Sequence, residues 1–266
     1  MEPKEVAVRS IVLEDPELDF APFAPVKSQL VVFDFDWSLA DQDTDRWVHE
    51  VLSPRLRIEF VKRKSSMQFT DMCAYLLEEL HREGHSRADL EDALRQMPIH
   101  PAMVRGVRWL KENSETDFFL LSNSNEVYIH TILEHQKLLD PPLFTEIVTN
   151  PAQFRDDGLL VLRRRIAPDA TQHTCKVGCS ANMCKGDELD AFRARHASYD
   201  RVVYVGDGGN DYCPVLRLRP QDVALVRRHR GLAKRILEEG QVQCQVRYWS
   251  GAWEAEQLLR HLGAAP

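Results

Sequence analysis

Excess positive charge is missing from this chain: 34 Lys and Arg face 41 Asp and Glu, a formal net charge of −7. Nucleic acid and anionic membranes both require a basic surface, so neither is expected as the main partner. The short basic runs Arg163-Arg164-Arg165 and Arg227-Arg228-His229-Arg230 read first as solvated faces, although a basic edge can also draw in a phosphorylated substrate. Long apolar runs are missing as well, and with them any helix able to span a bilayer. Residues 1–27 mix acids, prolines and isolated apolar side chains without a continuous hydrophobic segment, so they read as a poorly ordered extension and not as a secretory signal. There is no N-x-S/T acceptor for N-glycosylation, and only six cysteines are spread over the chain. That usage fits reduced thiols and a cytoplasmic setting better than a disulfide framework. Internal repeats and low-complexity tracts are absent too, and oligomeric state is left open.

What is present suffices for a folded core. The chain has 266 residues and 44% hydrophobic composition, enough for one large domain or for a core domain with an inserted cap. Leu30-Val31-Val32-Phe33, within Gln29 to Asp36, is the unbroken apolar run of a strand covered on both faces. Met72, Leu76 and Leu80 then recur at helical spacing with Gly84 as a stop, and Ser86 with Asp89 forms a capping-box pattern before Leu90, Ala93, Leu94 and Met97. Pro98 closes that segment, so residues 41–98 are expected to form a small helical cap inserted into a core of residues 28–40 and 99–266.

The core resumes with a helix carrying Met103, Val107 and Leu110 and a second buried strand, Asp117 to Ser122. A helix from about Glu126 to Gln136 and a strand around Glu146 to Val148 continue the rhythm. The Pro, Gly, His and Cys content of residues 151–185 breaks it and predicts a loop or hairpin excursion. A helix from Lys185 to about His196 and strands at Arg201 to Val205 and Asp222 to Val226 follow. Alternation of this kind predicts an α/β fold with a doubly wound, Rossmann-like, mainly parallel sheet. Trp249 and Trp253 are expected to cover the core.

Two apolar runs end in carboxylates, Val31-Val32-Phe33-Asp34-Phe35-Asp36 and Val205-Gly206-Asp207-Gly208-Gly209-Asn210-Asp211. Open α/β sheets bind ligands at the carboxyl ends of their strands, so these acids point to a magnesium-assisted phosphoryl site. A carboxylate can attack phosphorus and hold the phosphoryl group, which divides a difficult hydrolysis into two displacements. Asp34 is the candidate nucleophile, and Asp36, brought round by a bend at the strand end, the candidate acid and base. Asp34 and Asp207 are the best side-chain ligands for Mg²⁺, with Asp36 lending its backbone carbonyl and Asp211 orienting from behind or binding through water. Glycines around Asp207 permit close approach to a ligand. Ser122 at a strand end can donate to a phosphate oxygen, and Lys185 at a helix start can neutralise phosphoryl charge together with the free amides there.

Asp34-Phe-Asp-Trp-Ser, Ser122, Lys185 and Gly206-Asp-Gly-Gly-Asn-Asp stand in the order of the four motifs of the haloacid dehalogenase (HAD) superfamily, which the chain resembles over roughly residues 28 to 260. The insertion after the first motif looks like that superfamily's helical C1 cap. Thr149-Asn-Pro, His173-Thr-Cys, Asn182-Met-Cys-Lys and Tyr204 to Pro214 are similar to the eukaryotic group of phosphoethanolamine/phosphocholine phosphatase and its pyridoxal phosphate phosphatase relative. The resemblance implies the roles given above for Asp34, Asp36, Ser122, Lys185 and Asp207. It also implies two substrate-selecting positions, an acid eleven residues after the nucleophile, here Asp45, and another directly after the motif serine, here the neutral Asn123. Asn123 departs from the pattern that captures an ammonium group, and Ser122-Asn-Ser-Asn looks closer to the pyridoxal phosphatase relative in its third and fourth residues. Trp37 replaces a smaller or acidic residue and is expected to narrow the entrance.

His173, Cys175, Cys179 and Cys184 fall within twelve residues, irregularly spaced. Reduced thiols packed near the site are the first reading and a zinc site the alternative. Cys73 and Cys213 read as packing positions. The function expected is therefore a Mg²⁺-dependent phosphomonoester hydrolase acting on a small soluble metabolite, with a phosphomutase or a catalytically idle HAD-fold binding protein as the alternatives.

Overall fold

A computed structural model describes residues 16–263. Strand β1 (Gln29–Phe33) leads through a wide turn, Phe35–Leu39, into four helices: α1 (Thr44–Leu52), α2 (Pro54–Arg63), α3 (Phe69–Arg82) and α4 (Arg87–Arg95). Then come α5 (Pro101–Asn113), β2 (Thr116–Asn125), α6 (Glu126–His135), β3 (Glu146–Asn150) and a hairpin of β4 (Ala152–Phe154) and β5 (Leu160–Leu162). The remaining elements are α7 (Lys185–Arg195), β6 (Arg201–Gly206), α8 (Tyr212–Val215), β7 (Val223–Arg227), α9 (Gly231–Glu239), β8 (Gln245–Trp249) and α10 (Ala252–Gly263).

Six strands form one sheet in the order β3-β2-β1-β6-β7-β8, all parallel, so the order reverses between β1 and β6. Alternation along β1 explains the double winding: Val31 and Phe33 join the core on one face with α5 and α10, while Leu30 and Val32 join the core on the other with α7 and α9. Helix α4 starts at the expected capping box of Ser86 and Asp89.

Several details depart from the sequence expectations. Strand β2 runs past Ser122 to Asn125, because Asn150 Nδ2 donates to the carbonyls of Asn123 and Ser124 and keeps the chain extended beside β3. Strand β8 gave no apolar run, being an edge strand whose first four residues stay half-buried or exposed. Trp249 is fully buried, but Trp253 is 63% exposed, since the buried face of α10 is Ala252, Ala255, Leu258, Leu259 and Leu262. Of the amino-terminal extension, residues 1–15 lie outside the described residues. Residues 16–27 form no regular element, yet Phe23 is buried and Arg201 Nη1 donates to the Ala24 carbonyl at 2.9 Å, which docks this stretch on the core. The basic run at 163–165 is partly engaged: Arg164 pairs with Asp71 of α3 and Arg165 with Glu188 of α7. Among the described residues no helix is long and apolar enough to cross a membrane.

Candidate active site

Phe33 of β1 pairs with Val205 of β6, and the Asp34 amide donates to the Val205 carbonyl at 2.9 Å. Asp34 and Asp207 therefore leave the sheet from adjacent strands at its switch point, where the loops part and open a crevice. The turn after β6 folds back so tightly that a Cβ on Gly206 would lie 2.7 Å from Asp211 Oδ2. Only glycine admits that approach. Asp211, with no exposure, accepts from the amides of Asp207 (3.0 Å) and Gly208 (2.9 Å) at Oδ2, and from Tyr204 Oη and Lys185 Nζ (both 2.7 Å) at Oδ1. Lys185 opens α7, is 1% exposed, and sits 2.8 Å from Asp34 Oδ1. The Phe35 amide also donates to that same oxygen.

Asp34, Asp207 and Asp211 each offer an oxygen within 4.8 Å of the others. Burial first, and then the Asp211 charge, push Asp34 well above the usual carboxylate range and Asp207 up to about 7. Burial alone would lower Lys185, but Asp211 and Asp34 overcome it and hold the ammonium above its ordinary pKa. Among the described residues no hydrogen bond reaches Asp34 Oδ2 or the Asp207 carboxylate, whereas both oxygens of Asp211 are engaged. Hard, buried oxygens without protein donors fit a divalent cation such as Mg²⁺.

Asp36 lies in the turn Phe35–Leu39, where helical geometry is interrupted at Asp36 (φ −67°, ψ 130°) and at Trp37 (φ 57°, ψ 7°). The left-handed Trp37 costs on the order of 1 kcal/mol. Arg227 Nη1 offsets this by donating to the Trp37 carbonyl at 2.7 Å, and the Arg230 guanidinium lies 3.7 Å from the ring centre. Asp36 Oδ1 accepts from the Thr44 amide at 2.9 Å, and Thr44 Oγ1 is 3.3 Å from Oδ2 and 2.7 Å from Ser124 Oγ. Burial, then Asp43, Asp45 and Asp34, raise the Asp36 pKa well above normal, so a proton can reside on it.

Above these groups is a cavity of about 360 Å³ lined by Asp34, Asp36, Lys185 and Asp207 on the sheet side and by Trp37, Asp43, Asp45, Lys64, Phe69 and Thr70 on the helical side. Asn123 lines it too, its Oδ1 accepting from Asn210 Nδ2 at 2.9 Å. Asp45 is 4% exposed and pushed up to about 8, by burial first and by Asp43, against the Cys73 hydrogen bond. Ser122 is the exception among the expected site residues. It is fully buried one position before Asn123, its Oγ accepts from the Ser124 amide at 3.1 Å, and it does not line the cavity. Arg227 and Arg230, whose run was read first as a solvated face and otherwise as a basic edge, do not line the cavity but pack on Trp37, which does. Their signal was position, because the run starts at the last residue of β7, at the ligand-binding edge of the sheet. Lys64, a lone lysine after α2, carried no such signal.

A parallel sheet with this switch point, carrying paired carboxylates and a buried lysine at its ligand edge, is the architecture of a HAD-type phosphatase. The family described as Putative Phosphatase matches residues 29–262, and the chain belongs to it. A thiamine phosphate phosphatase-like protein of Arabidopsis thaliana is 32% identical, covering 88% of this chain and 94% of that protein. The mouse (Mus musculus) pyridoxal phosphate phosphatase PHOSPHO2 is 31% identical, covering 88% and 96%. A HAD-family hydrolase from Salmonella enterica shares the fold with a TM-score of 0.59 at 16% identity, covering 88% of this chain and 72% of that one.

Proposed function

We propose that this phosphatase is a Mg²⁺-dependent phosphomonoester hydrolase working through an aspartyl phosphate on a small metabolite. The observation that carries the reading is the convergence of Asp34, Asp207, Asp211 and Lys185 at the ends of two adjacent strands. Asp34 attacks phosphorus while Asp36 gives its proton to the leaving oxygen; Asp36 then takes a proton from water, which attacks the phosphoryl group on Asp34 and frees phosphate. Lys185 and the amides opening α7 balance the negative charge of the transferring group. Ser122, one residue beneath the cavity wall, supports that wall from behind by accepting from the Ser124 amide. Asp34, Asp207 and the backbone carbonyl of Asp36 would hold Mg²⁺, which when bound supplies positive charge to the phosphoryl oxygens. Asp211 fixes the turn that presents Asp207. Helices α1 to α4 act as the cap, and its closure over the cavity excludes bulk water.

The cavity suits a metabolite and not a protein substrate. Of the two substrate types considered, phosphoethanolamine/phosphocholine and pyridoxal phosphate, the lining favours the second. Asn123 is neutral and bonded to Asn210, Asp45 holds its proton up to about pH 8, and Trp37 and Phe69 offer apolar ring faces. The name of the mouse relative agrees with that preference. The test is phosphate release from pyridoxal phosphate, thiamine phosphate, phosphoethanolamine, phosphocholine, phosphoserine and pyrophosphate, with and without Mg²⁺. Release is expected to be highest with pyridoxal phosphate, to require Mg²⁺, and to fall at least about 10³-fold in Asp34→Asn. Undiminished release in that variant would remove Asp34 as the nucleophile, and full release without Mg²⁺ would remove the metal.

A further inference from the structure

The 22 residues from 163 to 184, between β5 and α7, contain no regular element, yet they supply Cys179, Ser180, Asn182 and Met183 to the cavity wall. Irregular segments of this length inside a compact domain need something to hold them. Three of the cysteines in this segment converge with a fourth from far along the chain. Cys175, Cys179, Cys184 and Cys213 each bring a sulfur within 4.8 Å of all the others. Cys175 Sγ is 3.6 Å from Cys179 Sγ and 3.5 Å from Cys213 Sγ, and Cys184 Sγ is 3.6 Å from Cys213 Sγ. All four are reduced. His173 stands outside the group, with its Nε2 at 2.7 Å from the Ser180 carbonyl.

We propose that these four cysteines form a structural zinc site. Zinc binds thiolate at about 2.3 Å in a tetrahedron, whose sulfur-to-sulfur edges are then about 3.8 Å. The three contacts above already lie near that edge length. Two further observations bear on the charge and the space. A Zn²⁺ tetrathiolate carries two net negative charges, and Arg217 Nη2 lies 3.9 Å from the sulfurs of both Cys184 and Cys213, while the Val177 amide donates to Cys175 Sγ at 3.4 Å. A Cβ on Gly186 would fall 2.7 Å from Cys213 Sγ, so the chain leaves this volume to sulfur. Binding forms four Zn–S bonds, and the thiol protons pass to solvent.

The site's place in the fold gives it a purpose. Cys184 is the residue before Lys185, and Cys213 is two residues after Asp211, so the same two stretches that meet through the Lys185–Asp211 ion pair are fastened a second time by the metal. Zinc here touches no substrate. It fixes the cavity wall and the lysine that balances phosphoryl charge.

The test is the metal content of the full chain grown with zinc and dialysed against a weak chelator. About one zinc per chain is expected, falling at least about tenfold in Cys175→Ala and Cys213→Ala and unchanged in Cys244→Ala, a buried thiol outside the group. Cobalt substituted for zinc is expected to show thiolate-to-metal charge transfer and the intense visible bands of a tetrahedral site. If the cysteine variants do not fold, titration of the unaltered protein with an organomercurial provides the second measurement: zinc, read with a metallochromic dye, is expected to leave as the four thiols react. A folded chain that holds no zinc, that holds iron instead, or whose zinc content survives both substitutions overturns the proposal. None of these readouts uses phosphatase activity, so they stand whether or not the assigned substrate is right.

Discussion

Two clusters in this molecule are built from the same neighbourhood and held in opposite ways. The carboxylates of Asp34 and Asp211 pair with Lys185 at the ends of β1 and β6 and the start of α7, with Asp207 beside them, and backbone amides of Phe35, Asp207 and Gly208 donate to Asp34 and Asp211. Their geometry is set by the sheet before any ligand arrives, as electrostatic stabilisation of a transition state requires. Among the thiols of Cys175, Cys179, Cys184 and Cys213, Cys175 receives the Val177 amide, and three of the four stand on a stretch without regular structure. Their arrangement depends on what they bind. On the two readings proposed, the acidic cluster is preorganised for turnover, and the thiol cluster is an ordering device for the loop that borders it.

The largest separation between the two comes from Lys185→Met. The substitution removes the ammonium that balances Asp34, Asp211 and the phosphoryl group, and kcat is expected to fall about 10²- to 10³-fold. If the clusters differ as described, zinc content stays at its starting value, because the exchange leaves the neighbouring Cys184 in place. Steady-state kinetics and metal analysis on the same preparation check both halves. A variant that keeps its kcat, or that loses zinc with it, breaks the distinction.

The two clusters also differed in how far the sequence revealed them. Asp34 and Asp207 were legible because each follows an apolar run whose burial pattern already marks a parallel strand, and strand ends are where such sheets bind ligands. Lys185 was legible from its helix start. The thiol cluster was only half legible: the local spacing collected Cys175, Cys179 and Cys184 but drew in His173, and nothing local linked them to Cys213, 29 residues beyond Cys184. Ser122 shows the limit in another form. A strand end was placed there from the apolar run, but the Asn150 side chain, which no periodicity can foresee, carries β2 on to Asn125. Edge strand β8 failed for a related reason, since a half-buried strand leaves no continuous apolar signal.

A carboxylate without an ammonium partner sharpens the same comparison at a smaller scale. Asp45 holds its proton up to about pH 8 because burial and Asp43 disfavour the charge. A raised carboxyl pKa means the folded chain binds a proton that the unfolded chain has released, so this contribution to stability is complete near pH 4 and is lost as pH rises towards 8. Asp45→Asn removes the penalty. Thermal unfolding without added Mg²⁺ or substrate is expected to give the variant a Tm advantage that grows between pH 5 and pH 8, reaching on the order of several °C. An advantage that does not change with pH would show that Asp45 is ionised in the folded protein.

The smallest effect tests the cavity's mouth, where cations stack on a ring. Arg230 lies 3.7 Å from the centre of Trp37 and Arg227 5.5 Å, but only Arg227 also bonds the Trp37 carbonyl. Half-exposed cation–π contacts contribute about 0.5–1 kcal/mol. Arg230→Ala is therefore expected to raise KM about two- to fivefold through a looser Trp37 while kcat stays nearly constant, because Trp37 lines the cavity but has no part in the proposed chemistry. Arg227→Ala, which also leaves the carbonyl of a left-handed residue without its donor, is expected to raise KM further and to lower the Tm. Tryptophan fluorescence of both variants reports the ring directly. Equal KM values in the two variants would mean that the carbonyl bond adds nothing to the positioning of Trp37 and that stacking alone holds it.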